Sequence, residues 1–128
     1  MGIGTTIMTA MKADATIYGL VGDRIYPLVY PSEPTFPCVT YRIISGYNEP
    51  VISEQVNTTR IQLDIWSYSY LTTDSVKAAI MSFFNYFDGT VSGQVIIATK
   101  IDLVFDTFEQ NIKAHRAVVD VRVTHEGD

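Results

Sequence analysis

Cysteine is nearly absent from this chain, with Cys38 alone among 128 residues. No internal disulfide and no multi-cysteine zinc site can form, and folding in a reducing cytoplasm is the simplest setting. Basic residues are also scarce: nine Lys and Arg stand against fourteen Asp and Glu, a formal charge of −5. They are scattered singly from Lys12 to Arg122, whereas a phosphate-binding surface needs clustered cations. Direct nucleic-acid binding is therefore not expected. No apolar run reaches the length of about eighteen residues that a membrane helix needs. The amino terminus, "MGIGTTIMTAMKADATIYG", lacks the basic segment and unbroken apolar stretch of a signal peptide. A soluble protein made without a secretion signal is the expectation.

Apolar residues, in contrast, are plentiful. A hydrophobic fraction of 47% is enough to fill the core of one domain spanning residues 1–128. In "RIQLDIWSYSYLTTDSVKAAIMSFFNYF", residues 60–87, Ile61, Leu63 and Ile65 alternate with Arg60, Gln62 and Asp64, the period of a strand with one buried face. From Val76 the apolar positions become Ala79, Ile80, Phe83, Phe84 and Phe87, spaced as one face of a helix. Thr73 or Asp74 is placed to cap that helix, and Gly89 follows it. At the end of the chain, His115, Ala117, Val119, Val121, Val123 and His125 share one parity, which predicts a strand from Ala114 to Thr124. "VIIATKIDLVFDTFE" before it, joined by "QNIK", predicts the partner strand of a hairpin.

Near the start, Ile7, Met8 and Met11 predict a helix from Thr5 or Thr6, and Asp14 can cap a second short turn that Gly22 stops. Prolines 27, 31, 34 and 37 then forbid helix and allow only a short edge strand. "CVTYRIISGY" reads as a strand. "NEPVISEQVNTT" reads as a long loop between two strands, functional or disordered by its length. Together these elements predict an α+β fold, a largely antiparallel sheet with two main helices packed on one face.

Catalytic chemistry finds little support. A nucleophilic Cys38 needs a base beside it, and the only histidines, His115 and His125, lie roughly 33 Å apart along a regular strand, too far to share a site. Asp102 and Asp106, about 13 Å apart on one face of a strand by the same rise, read as a solvated surface and not as an acid–base pair. "GIGTT" lacks the third glycine and preceding strand of a dinucleotide fingerprint. No metal or cofactor is expected. Interaction signals are stronger. Trp66 falls on the polar parity of its strand with Tyr68 beyond, and such residues are enriched at interfaces; packing under the proline-rich segment is the competing reading. Tyr47, Glu49 and Glu54 in the stretch from Gly46 to Thr59, and Arg60 beside it, complete the set of candidate contacts, with simple solvation the competing reading for the two acids.

Read in order, "LVGDRIYPLVYPSEPTFPCVTYRII", a variable loop and "RIQLDIWSYSYLTTDSVKAAI" resemble the tail completion proteins of long-tailed bacteriophages, also called tail terminators or tail-to-head joining proteins. With a short amino-terminal helical region before it, the resemblance covers most of the chain, from about Leu20 to Ile80, and the closing hairpin is compatible with it. It implies a non-enzymatic virion subunit that assembles on itself as a ring, a hexamer, at the head–tail junction after synthesis in the bacterial cytoplasm. The ring would end growth of the tail tube protein and meet the head–tail connector or adaptor, with DNA passing through its lumen without specific binding. A head-completion or connector adaptor of the same particle is the alternative role. An enzyme, or a monomeric binding module for a small ligand, would each be a different class. The first needs partners for Cys38 or Asp102, and the second a closed apolar pocket.

Overall fold

Two strands organise the chain: β3 (Val56–Ser67) and β6 (Ala114–Glu126) pair antiparallel without a register break, from Val56 opposite Glu126 to Ser67 opposite His115. The computed structural model describes residues 2–49, 56–85 and 87–126. Its other elements are α1 (Ile3–Ala13), α2 (Ala15–Val21), β1 (Ile25–Pro27), β2 (Cys38–Glu49), α3 (Tyr70–Asn85), β4 (Gly89–Val91) and β5 (Gln94–Glu109). The six strands form one sheet in the order β1-β2-β3-β6-β5-β4. Every neighbouring pair is antiparallel except the short edge pairing of β1 with β2.

The core follows from strand parity. Ile61, Leu63 and Ile65 of β3 stand opposite Val121, Val119 and Ala117 of β6. All six are at most 1% exposed. Ile25, Val39, Tyr41 and Ile96 extend this surface sideways, and Ile3, Ile7, Met11, Ile17, Val21, Val76, Ile80 and Phe84 cover it from the helices. The α+β reading holds, with three helices among the described residues in place of the two main helices expected. The short turn after Asp14 is a true helix, because the Asp14 carboxylate accepts a hydrogen bond from the Ile17 amide at 3.0 Å. Gly22 ends it at φ +59, where a side chain would be strained.

Three boundaries differ from the sequence reading. Helix α1 begins at Ile3, because Thr6 returns its amide to the Gly2 carbonyl at 3.1 Å and Ile3 is itself a core residue. Helix α3 starts at Tyr70, capped by Ser69 and not by Thr73 or Asp74. The Ser69 carbonyl accepts from both the amide and the hydroxyl of Thr73, each at 3.0 Å, and Thr73 is buried within the first turns. Both ends of the expected long loop are strand: β2 continues to Glu49 and β3 begins at Val56, and positions 50–55 lie outside the described residues. β-branched Val56, Thr58 and Thr59 suit a strand, and Thr58 and Thr59 are buried. The terminal hairpin forms as read, and Lys113 takes a left-handed φ of 51° in its turn.

Leu63 lies at the centre of the sheet with no exposed surface. Leu63→Ala is expected to cost about 2–5 kcal/mol. In urea denaturation this should lower the unfolding midpoint with an unchanged slope, whereas Leu71→Ala, at a position 76% exposed, should barely move it.

Candidate functional site

Opposite the core, the other parity of the same strands carries charge. Arg60, Gln62, Asp64 and Trp66 of β3 alternate with the buried apolar residues, and across β6 they stand opposite Arg122, Asp120, Val118 and Arg116. Side chains on this face are tied to one another. Arg60 forms an ion pair with Asp120, whose side chain is only 6% exposed. Arg116 bridges two acids, Asp64 at 3.3 Å and Glu109 of β5 at 3.2 Å. Arg122 pairs with Asp102 at 3.1 Å, and Gln62 donates to Asp64 at 3.0 Å.

This lattice grades into aromatic packing. The Arg116 guanidinium lies 5.2 Å from the Trp66 ring centre, within cation–π range. Trp66 donates its indole N–H to the Thr40 hydroxyl at 3.1 Å. Tyr30 meets Trp66 edge-on at 5.2 Å and Phe36 at 5.5 Å, and Phe36 in turn contacts Tyr68 at 4.7 Å. Trp66 therefore packs beneath the proline-rich segment. Beside it, Leu28, Val29, Tyr30, Thr40 and Trp66 line a hollow of about 350 Å³. Leu28 and Val29 on its rim are 69% and 74% exposed.

The structure gathers only part of the expected contact set. Trp66 and Tyr68 belong to the aromatic cluster. Arg60 shares the face of Trp66, six residues away along β3, roughly 20 Å at the strand rise. Tyr47 and Glu49 lie in the far half of β2, paired in register with Thr58 and Val56, at the opposite end of the sheet from the cluster. Glu54 lies outside the described residues. Sequence reasoning passed over Arg116, Asp64, Glu109, Asp120 and Arg122 as a connected set. Their alternation was visible, but which strands lay side by side was not.

Asp102 and Asp106 correct the sequence reading outright: they lie on opposite faces. A bulge between Ile101 and Leu103 shifts the register of β5 against β6, so Asp102 meets Arg122 whereas Asp106 meets Lys77 of α3 at 3.0 Å. The histidines stand at the two ends of β6, His115 beside Phe108 and Tyr70, and His125 buried against Thr59 at 2.9 Å. Cys38 has no exposed surface, and burial pushes its thiol from 9.0 up to about 12. Burial that disfavours the thiolate makes it a poor nucleophile. Among the described residues no cluster of His, Cys, Asp and Glu is arranged to hold a metal, and no helix is long and apolar enough to cross a membrane.

Paired charges thus grade into an aromatic cluster along one face of the sheet. The sequence profile of the family described as "Tail completion protein gp17" matches residues 5–126. This chain belongs to that tail completion family. The match runs from within α1 to the end of β6. No curated protein sequence matches the chain. Among solved structures, a chain from the virion of the native gene transfer agent particle shares the fold, with a TM-score of 0.76 at 14% identity. The alignment covers 98% of this chain and 95% of that one.

Two outcomes follow from the site. Arg60→Ala strands Asp120, which is nearly buried, and should lower the melting temperature. Asp74→Ala, which removes the surface pair with Lys77 at a position 53% exposed, should change stability by less than about 0.5 kcal/mol; thermal melts of both variants check the contrast. For Cys38, the raised pKa means that the native state holds its proton while the unfolded chain releases it. That contribution is full below pH 9 and is lost as pH rises toward 12. The stability difference between the wild type and Cys38→Ala, measured in urea, should shrink across that interval.

Proposed function

We propose that this tail completion family member is a structural virion protein that closes the head-proximal end of a tail tube as a ring of identical subunits, a hexamer. One face of the ring ends growth of the tube, and the other receives the head connector or adaptor. The observation that carries this reading is the family match across residues 5–126. A virion chain of the same fold, aligned over nearly its full length, supports it.

The chemistry of the surface is consistent with such a role. A subunit that holds two assemblies together needs rigid faces, and the ion pairs across β3, β5 and β6 fix side chains that would otherwise lose freedom on contact. The exposed apolar residues Leu28, Val29, Tyr68 and Leu71 supply surface that a partner can bury. With a formal charge of −5, the ring would repel DNA passing through its lumen more than hold it.

Deleting the gene should yield tails of uncontrolled length that fail to join heads, and antibody label in wild-type particles should sit at the head–tail junction. Electron microscopy reads both. Tails of normal length that lack heads would instead assign the chain to an adaptor on the head side. Label at the tail tip would exclude either role.

A further inference from the structure

The sheet ends in two strands that are only partly covered, and the uncovered lengths face outward. On one side β1 pairs only with Val39–Tyr41 of β2, so β2 from Arg42 to Glu49 has a strand neighbour on one side alone among the described residues. On the other side β4 pairs only with Gln94–Ile96 of β5, leaving Ile97 to Glu109 in the same state. Free edges of this length invite pairing with another strand, and proteins that avoid it blunt them with charge, proline or covering segments. Here both edges expose apolar side chains: Ile43 at 52% and Ile44 at 40% on β2, and Ile97 at 43%, Leu103 at 52% and Phe105 at 44% on β5.

We infer that the free edge of β5 in one copy of this chain pairs antiparallel with the free edge of β2 in the next, so that the sheets of neighbouring subunits run on into one another. The inference rests on the ring proposed above and names the surfaces that build it. Strand direction permits it. Between β2 and β5 lie three antiparallel pairings, so the two edge strands point in opposite directions. A rotation about an axis along the strands preserves direction and brings β2 of the next copy antiparallel to β5. The two edges differ, so the contact is heterologous, the kind that closes into a ring.

Register and charge agree with this pairing. Across the sheet Arg42 is level with Gln62, Asp120 and Leu103, and Tyr47 is level with Thr58, Thr124 and Ala98. Arg42–Tyr47 and Ala98–Leu103 are therefore both uncovered at the same height, and the bulge residues Ile44 and Ile97 lie in or beside these lengths. Arg42 is exposed and forms no ion pair with a described residue. The next copy would bring it beside Leu103 and its neighbour Asp102, which uses Oδ2 on Arg122 and leaves Oδ1 for a second cation.

Cysteine cross-linking in purified particles tests the pairing, because the native Cys38 is buried and the substituted positions are exposed. Particles carrying Arg42→Cys together with Leu103→Cys, treated with a short bis-maleimide, should give a ladder of covalent multimers ending at the closed ring. Each single variant should give no ladder, and neither should the control pair Arg42→Cys with Leu71→Cys. Normal head–tail particles that contain the protein at the junction but yield no ladder from the edge pair, or a ladder from the control pair alone, would overturn the edge pairing and leave the ring function standing. Absence of the protein from head–tail particles would overturn both.

Discussion

The unbroken register of β3 on β6 is the constraint on which the rest of the structure depends. Side chains alternate across a strand, and a slip of one residue would exchange the two faces wholesale. Leu63 opposite Val119 and Gln62 opposite Asp120 are two consequences of one alignment. The first row builds the core beneath the helices, and the second builds the charged surface. Hydrophobic burial selects the register strongly, since Ile61, Leu63, Ile65, Val119 and Val121 would all face the charged side in the alternative. The charges are placed by the same choice and add little drive of their own.

Burial and charge meet most closely at Asp120 and Arg116. Asp120 is 5% exposed and Val118 2%, although neither faces the helices, because side chains from β3 and β5 crowd over the central strand. An acid at such a position is tolerable only with a cation held against it, and Arg60 supplies one. Arg116 is held by two carboxylates and the Trp66 ring together, which leaves little freedom to lose when a partner arrives. Rigidity of this surface and stability of the sheet therefore have a common origin.

The short strands β1 and β4 matter for what they leave open. Pro27 ends β1, and the chain then crosses with Leu28 at a positive φ toward the proline-rich segment that covers Trp66. Gly93, at φ +83, and Ser92, at φ +50, turn β4 back into β5 after three residues. Each edge is closed at the opposite end of the sheet from the other. Turn chemistry at two places thus determines which lengths of β2 and β5 have a strand neighbour on one side alone among the described residues.

Much of this was legible in order along the chain. The alternation at Ile61–Ile65 and at Ala117–Val123, the helical spacing from Val76 to Phe84, the Asp14 cap and the hairpin at "QNIK" are local patterns, and local backbone geometry imposes them whatever surrounds them. The α+β class and the family resemblance follow from their sequence order. What tertiary structure alone decided is which strands lie side by side. That choice joins Arg116 to Asp64 and Glu109 across three strands, sends Asp102 and Asp106 to opposite faces through a bulge, and pairs the two ends of the expected loop as strand. Such contacts link residues distant in sequence, 60 positions apart for Arg60 and Asp120 and 66 for Thr59 and His125. A linear pattern carries parity and period, but the partner across a sheet is chosen by the packing of the whole core.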